Sequence, residues 1–87
     1  MNIAVFDTWA TRPDGSRMHF DILVPDPPRD VEQVLHFGRR YLAAKGLPAD
    51  SLSASQCRFC HMEHATGGIE AAIARDGFAV IELSNCH

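Results

Sequence analysis

The sequence has 87 residues, a formal net charge of −3 and a pI of about 5.9, which fit one small domain, residues 1–87. Its eight Lys and Arg residues form no cluster, so the chain lacks the basic patch that binds nucleic acid. No apolar stretch approaches the roughly 20 residues of a membrane-spanning helix, and no secretory leader is recognisable. We therefore expect a cytoplasmic protein with reduced thiols.

A β-hairpin is predicted at the start of the chain. Residues 2–9 carry apolar groups on both faces, as an interior strand does. Residues 17–24 alternate between an apolar and a mostly polar face, which predicts a strand at the edge of the sheet. Residues 12–15 contain Pro, Asp and Gly, which are typical of β-turns. The sequence leaves the register of the two strands open.

A first helix is predicted over residues 31–45. Asp30 stands at its N-cap position, and apolar residues follow at helical spacing. Gly46 is placed to end the helix in a left-handed conformation. Gly38 lies on the apolar stripe, which indicates the close approach of another backbone.

The second half of the chain predicts one more helix and one more strand. Residues 46–56 are expected to form a loop. A helix follows over 67–76, between Thr66 as N-cap and Gly77 as its end, and then a strand over 78–83. The predicted fold is α+β with the order β-β-α-α-β. It has a three-stranded, mainly antiparallel sheet, strand one in the centre, and both helices packed on one face.

The densest chemistry lies in residues 57–64, Cys-Arg-Phe-Cys-His-Met-Glu-His. If this stretch is helical, its two Cys and two His side chains share one face. If it is a turn, Cys57 and Cys60 converge alone and need partners from elsewhere. The C-x-x-C spacing is the usual half-site of structural zinc. The ligand set that we expect for zinc is Cys57, Cys60, His64 and Cys86, with His61 as a further candidate.

Other interpretations of this stretch stay open. A thiol oxidoreductase would use Cys57 and Cys60, with Arg58 stabilising the thiolate. A metal-dependent hydrolase would use Glu63 as its base. The string is also a literal C-x-x-C-H, the attachment pattern of c-type haem, here treated as a chance match because attachment occurs outside the cytoplasm. The simplest interpretation is that the cysteines are small buried apolar residues.

A second group of polar side chains is Asp7, His19 and Asp21. Asp7 interrupts the apolar face of strand one, and the other two share the polar face of strand two. A histidine beside a carboxylate can serve as a general base. The alternative is that these charges protect an edge strand from pairing with another sheet. No phosphate-binding loop or dinucleotide fingerprint accompanies the group.

Several motifs together resemble one protein family. They are Asp7-Thr8, the run 18–24 (Met-His-Phe-Asp-Ile-Leu-Val), the run 57–61 (Cys-Arg-Phe-Cys-His), Ala65-Thr66 and Cys86. Over nearly the whole chain they resemble the DUF2024 family, small bacterial proteins with a domain of unknown function. The resemblance implies a compact single-domain α+β protein and assigns no activity. Gly67 departs from the pattern, which has proline there.

The function that we expect is that of a small binding or accessory module in which the Cys/His cluster holds a structural metal, zinc. The thiol oxidoreductase and the metal-dependent hydrolase are the alternatives. We expect no nucleic-acid or membrane partner. A homodimer is left open, because the sequence does not say whether Phe6, Leu23 and Phe78 are covered by this chain or by a second copy.

Overall fold

The computed structural model describes residues 1–27 and 30–86. One antiparallel sheet contains the strands β1 (Asn2–Thr11), β2 (Arg17–Pro25), β3 (Cys57–His64) and β4 (Ala79–Ser84), in the spatial order β3-β1-β2-β4. The helices are α1 (Val31–Ala44) and α2 (Gly67–Asp76). Short 3₁₀ turns at Ala49–Ser51 and Ala54–Gln56 lie in the connection that precedes β3. Neither described helix has the length and apolarity needed to cross a membrane.

The prediction of a three-stranded sheet is wrong. The cysteine-containing stretch is a fourth strand, β3, at the sheet edge beside β1, and β2 lies inside the sheet between β1 and β4. The error has a physical cause. Only Cys57 of β3 is buried, so the strand has little of the apolar alternation that marks a half-buried strand. A register shift opposite Val5 and Phe6 also interrupts its alternation.

The prediction that both helices pack on one face is also wrong. Even-numbered side chains of β1 and β2, such as Phe6 and Phe20, form one apolar cluster with Leu42 and its neighbours on α1. Odd-numbered side chains form a second cluster with Ile73 of α2, and this cluster includes Leu23. Side chains of a strand alternate between faces. The two helices therefore cover opposite faces, which we call the α1 face and the α2 face.

The helix boundaries agree with the sequence. The Asp30 side chain accepts a hydrogen bond from the backbone N–H of Glu32 at 3.1 Å, and Gly46 follows α1 with φ of 75°. Gly77 ends α2 in the left-handed region with φ of 89°. Thr66 occupies the N-cap position of α2, but its side chain makes no capping hydrogen bond.

The register of the β1–β2 hairpin decides which polar side chains meet. Residues 12–16 connect the strands, and the last pair before them is Thr11 with Arg17. Asp14 supports the turn by accepting a hydrogen bond from the Ser16 N–H at 2.9 Å. In this register Asp7 lies directly opposite Asp21, and Trp9 lies opposite His19.

Candidate functional site

Helix α2 covers only part of its sheet face. The apolar cluster beneath it takes Ile3 and Val5 from β1 and Leu23 from β2. Further along the same face, where the hairpin approaches its turn, β1 presents Asp7 and β2 presents Asp21. Because α2 is short, this end of the face carries polar side chains that are only half-buried. We call it the open end of the α2 face.

Three side chains converge at the open end. Asp7 and Asp21 are cross-strand partners, and His19 is the next residue of β2 on the same face. The Nε2 atom of His19 forms a hydrogen bond with Oδ1 of Asp7. One ligand atom from each of the three residues lies within 4.8 Å of the other two. Within residues 1–27 and 30–86, no other group of three or more His, Cys, Asp or Glu side chains converges in this way.

An aromatic ring holds the histidine in place. The indole of Trp9 stacks on the His19 imidazole with ring centroids 3.9 Å apart and planes 5° from parallel. Its Nε1–H donates a hydrogen bond to Oδ2 of Asp7 at 3.2 Å. The guanidinium carbon of Arg17 lies 4.9 Å from the Trp9 ring centroid. Trp9 therefore orients both His19 and Asp7, as outer-sphere residues do around a metal centre.

The site is electrostatically unfavourable for one of its carboxylates. Burial raises the pKa of Asp21 above its ordinary value of 3.8, and the negative charge of Asp7 raises it further. Like charges directly opposite each other on neighbouring strands are destabilising. The charges of His19 and His61 lower the Asp21 pKa but do not reverse the shift. A bound cation at this point would relieve the repulsion between the two carboxylates.

The raised pKa of Asp21, caused first by burial and then by the Asp7 charge, gives a testable pH dependence. For an acid whose pKa is raised by folding, the folded state binds more protons than the unfolded state, so stability falls as pH rises from about 3.8 through the folded pKa. Asp21→Asn removes that loss. In metal-free protein we expect the variant to be more stable than wild type at pH 7 and to lose this advantage near pH 3. Urea unfolding at both pH values measures the difference. An exposed control, Asp50→Asn, is expected to show no such pH-dependent gain.

Two arginines, Arg17 and Arg58, lie at the rim of the site. Arg58 of β3 lies opposite Asp7 in the sheet. A shallow pocket of about 260 Å³ runs beside the site and is lined by Asp7, Trp9, Arg17, Ser55, Gln56 and Arg58. Further out on β3, the exposed side chains of His61 and Glu63 form a hydrogen bond with an Nε2–Oε1 distance of 2.6 Å. The open end of the α2 face thus combines an anionic centre with a cationic rim.

The four side chains expected to bind zinc are not brought together by the described structure. Cys57 points into the α1-face core, where the Thr8 hydroxyl donates to its Sγ at 3.6 Å. Cys60 is exposed in β3, and His64 is exposed at the end of that strand. Cys86 is buried, and its Sγ donates to the backbone oxygen of His19 at 3.4 Å. The convergence expected of these residues required a helix or a turn, and an extended strand does not provide it.

The environment of Cys57 also bears on the thiol chemistry. Burial raises the pKa of the Cys57 thiol, and the charge of Asp7 adds to the rise, while the hydrogen bond from Thr8 opposes it. A nucleophilic cysteine needs a lowered pKa. The position of Cys57 therefore favours a packing role over a redox role.

Sequence reasoning named Asp7, His19 and Asp21 but missed Trp9 and Arg17 as members of the site. The missing information was the hairpin register, because a shift by one residue would move Trp9 away from His19. The available signal was the odd numbering that Asp7 and Trp9 share on β1, which places both on one face.

Comparison with known proteins agrees with the fold. The NMR structure of protein NE1680 from Nitrosomonas europaea matches with a TM-score of 0.85 and 31% sequence identity, over 100% of this chain and 100% of that chain. No curated protein matches the sequence. Residues 1–83 match the family described as Domain of unknown function (DUF2024). The resemblance seen in the sequence motifs is thereby confirmed, and the chain belongs to the DUF2024 family.

Proposed function

We propose that this protein is a small binding module that holds a divalent transition-metal ion at Asp7, His19 and Asp21. The observation that carries the proposal is the convergence of their ligand atoms within 4.8 Å of one another. Two further observations support the proposal. The His19 ring is held by stacking on Trp9, so a cation would find its imidazole ligand already oriented. The pKa of Asp21 is raised in part by the Asp7 charge, and a bound cation would offset the repulsion between these carboxylates.

The donor set favours particular metals. One imidazole nitrogen and two carboxylate oxygens suit zinc, manganese and iron, whereas magnesium prefers an octahedral shell of oxygens. Three protein ligands leave at least one coordination position for water or for a bound molecule, which is the pattern of an exchangeable site rather than of a closed structural one. The half-buried position of all three residues keeps that side accessible. We therefore propose that the metal site is here, with zinc, manganese or iron as the ion, and not at the cysteines.

Metal binding at this site has to displace the hydrogen bond between His19 and Asp7. The ligands must be deprotonated, so protons compete with the metal, and affinity should fall as the pH is lowered. The proposal thus predicts weaker zinc binding at pH 5 than at pH 7.

The proposal is tested by calorimetric titration of chelator-treated, dialysed protein with zinc chloride and manganese chloride. Wild type should bind about one ion per chain. Asp21→Asn and His19→Gln should each weaken binding at least about tenfold, because even the loss of an outer-sphere partner typically costs about 10- to 100-fold in metal affinity. Asp50→Asn and His36→Gln make the same chemical changes at exposed positions outside the site, and these variants should bind as wild type does.

Two outcomes would overturn the proposal. One is the absence of saturable binding near one equivalent in wild type. The other is metal binding that is retained in Asp21→Asn but lost in Cys60→Ser or His64→Gln. That result would show that the ion binds to side chains of β3 instead. Circular dichroism should show that the variants are folded. Asp21→Asn is expected to pass this check, because it removes the carboxylate whose ionisation opposes folding.

A further inference from the structure

Strand β3 is an edge strand with features that favour pairing. It lies at one end of the strand order, so no described strand of this chain pairs with its outer side. It is eight residues long and contains neither proline nor lysine, two of the residues that commonly protect edges. Its charges at Arg58 and Glu63 and its bulge can also protect an edge, so whether β3 pairs depends on how these features are arranged. Two large apolar side chains on it, Phe59 and Met62, are 41% and 44% exposed. An edge of this kind can add another strand by backbone hydrogen bonding.

A bulge gives this strand an unusual symmetry. Cys60 has no partner on β1, because the register shifts there between Val5 and Phe6. In a regular strand, residues separated by an odd number lie on opposite faces. The extra residue shifts the alternation, so Arg58 and Glu63, which pair with Asp7 and Ile3, both lie on the α2 face.

The apolar residues of β3 undergo the same shift. Phe59 pairs with Phe6 and Met62 pairs with Ala4, and both partners belong to the α1-face cluster. The aromatic rings of Phe59 and Phe6 are in edge-to-face contact at 5.8 Å. The strand therefore carries one basic and one acidic residue on one face and two apolar residues on the other. Each pair is symmetric about the Cys60–His61 peptide.

We infer that two copies of this chain pair antiparallel through β3, about a two-fold axis beside Cys60 and His61. In that register Arg58 lies opposite Glu63 of the partner subunit, and Phe59 lies opposite Met62 of the partner subunit. Opposite charges and apolar side chains are the cross-strand pairs that stabilise antiparallel strands. A two-fold axis repeats each pair, as an isologous dimer requires. The two four-stranded sheets would become one continuous sheet.

Charge complementarity favours a second copy of this chain as the partner of β3. Without the bulge, a two-fold axis at this point would place Arg58 and Glu63 on opposite faces of the joined sheet, so they could not pair. Glu63 already accepts a hydrogen bond from His61 at 2.6 Å, which leaves its second carboxylate oxygen for the partner's Arg58. A single strand pair makes a small interface, so we expect weak, concentration-dependent association.

The test is a charge swap followed by sedimentation velocity from about 10 µM to about 500 µM protein, the range suited to weak complexes. Arg58→Glu alone gives two acidic pairs in a homodimer, and Glu63→Arg alone gives two basic pairs. Each should weaken association at least about tenfold, since like charges opposite each other repel. An equimolar mixture of the two variants has only opposite-charge pairs and should associate as wild type does. A misfolded variant could not be restored by mixing.

The controls separate this interface from others. Arg39→Glu and Glu70→Arg make the same charge changes on exposed helix positions, and neither they nor their mixture should change association. Leu83→Glu alters the opposite sheet edge, where Leu83 is exposed, and should also have no effect. A wild type that stays monomeric throughout the range, a mixture that does not associate, or dissociation by Leu83→Glu instead would each overturn the inference. Zinc is left out of these runs, so the result does not depend on the metal site.

Discussion

Replacing Leu52 with alanine is expected to lower the free energy of unfolding by about 2–5 kcal/mol, the usual cost of removing a buried leucine side chain. Leu52 lies between the two 3₁₀ turns and is only 2% exposed. It belongs to the α1-face core, and its Cδ2 atom sits against the helix backbone at Gly38. A domain of this size has roughly 5–15 kcal/mol of stability in total. The change would therefore remove a large share of it.

The matched control for Leu52 is Leu83→Ala on β4. Leu83 is 49% exposed, and a surface substitution of this kind usually changes stability by less than about 0.5 kcal/mol. Urea unfolding followed by circular dichroism, at one protein concentration for all variants, measures both changes. If Leu52→Ala were no more costly than Leu83→Ala, the segment between α1 and β3 would not be anchored on α1.

The parts of the fold that the sequence predicted correctly are those with a strong local signal. The alternation of apolar and polar residues in β2, the cap at Asp30 and the glycines at 46 and 77 each act within a few residues of themselves. Such signals indicate the type and the ends of an element. They do not fix its place in the sheet, because the alternation of β2 also led to the wrong prediction of an edge strand. They gave the two helices and three of the four strands.

The parts that failed depend on long-range pairing. Strand β3 is held by its neighbour β1 rather than by burial of its own side chains, and its bulge at Cys60 conceals the alternation. The amphipathic stripe of α2 shows that one side is buried but not which sheet face covers it. Leu23, buried on the otherwise polar face of β2, was the clue to a second apolar cluster.

The candidate site was partly accessible from sequence for the same reason. Asp7, His19 and Asp21 could be assigned to shared faces by alternation alone. Their convergence required the register that sets Asp7 opposite Asp21. The cysteine cluster was the more conspicuous pattern, but nearness in sequence does not bring side chains together in an extended strand. Spacing patterns of metal ligands therefore predict a site only when the local structure is known.

Replacing Gly38 with leucine is expected to lower the free energy of unfolding by about 3 kcal/mol, at the upper end of the usual cost of overpacking. A Cβ atom at this position would already lie 2.5 Å from Cδ2 of Leu52 and 3.0 Å from Cδ1 of Ile22. A whole leucine side chain would push α1 away from the sheet. The matched control is Gly68→Leu in α2, where a Cβ meets nothing within 4 Å. That variant should gain up to about 1 kcal/mol from its helix propensity.

A double-mutant cycle identifies the cause of the Gly38 effect. Both atoms that a Cβ would meet are at the ends of flexible side chains. In wild type, the smaller change Gly38→Ala therefore has two opposing effects on stability: a local steric clash lowers it, and the higher helix propensity of alanine raises it by about 1 kcal/mol. In a Leu52→Ala background the nearer atom is gone, and the added methyl group fills part of the cavity. Gly38→Ala should then stabilise the protein by more than it does in wild type, with a coupling of at least about 0.5 kcal/mol. Equal effects in both backgrounds would show that Leu52 is not what requires glycine at this position of α1.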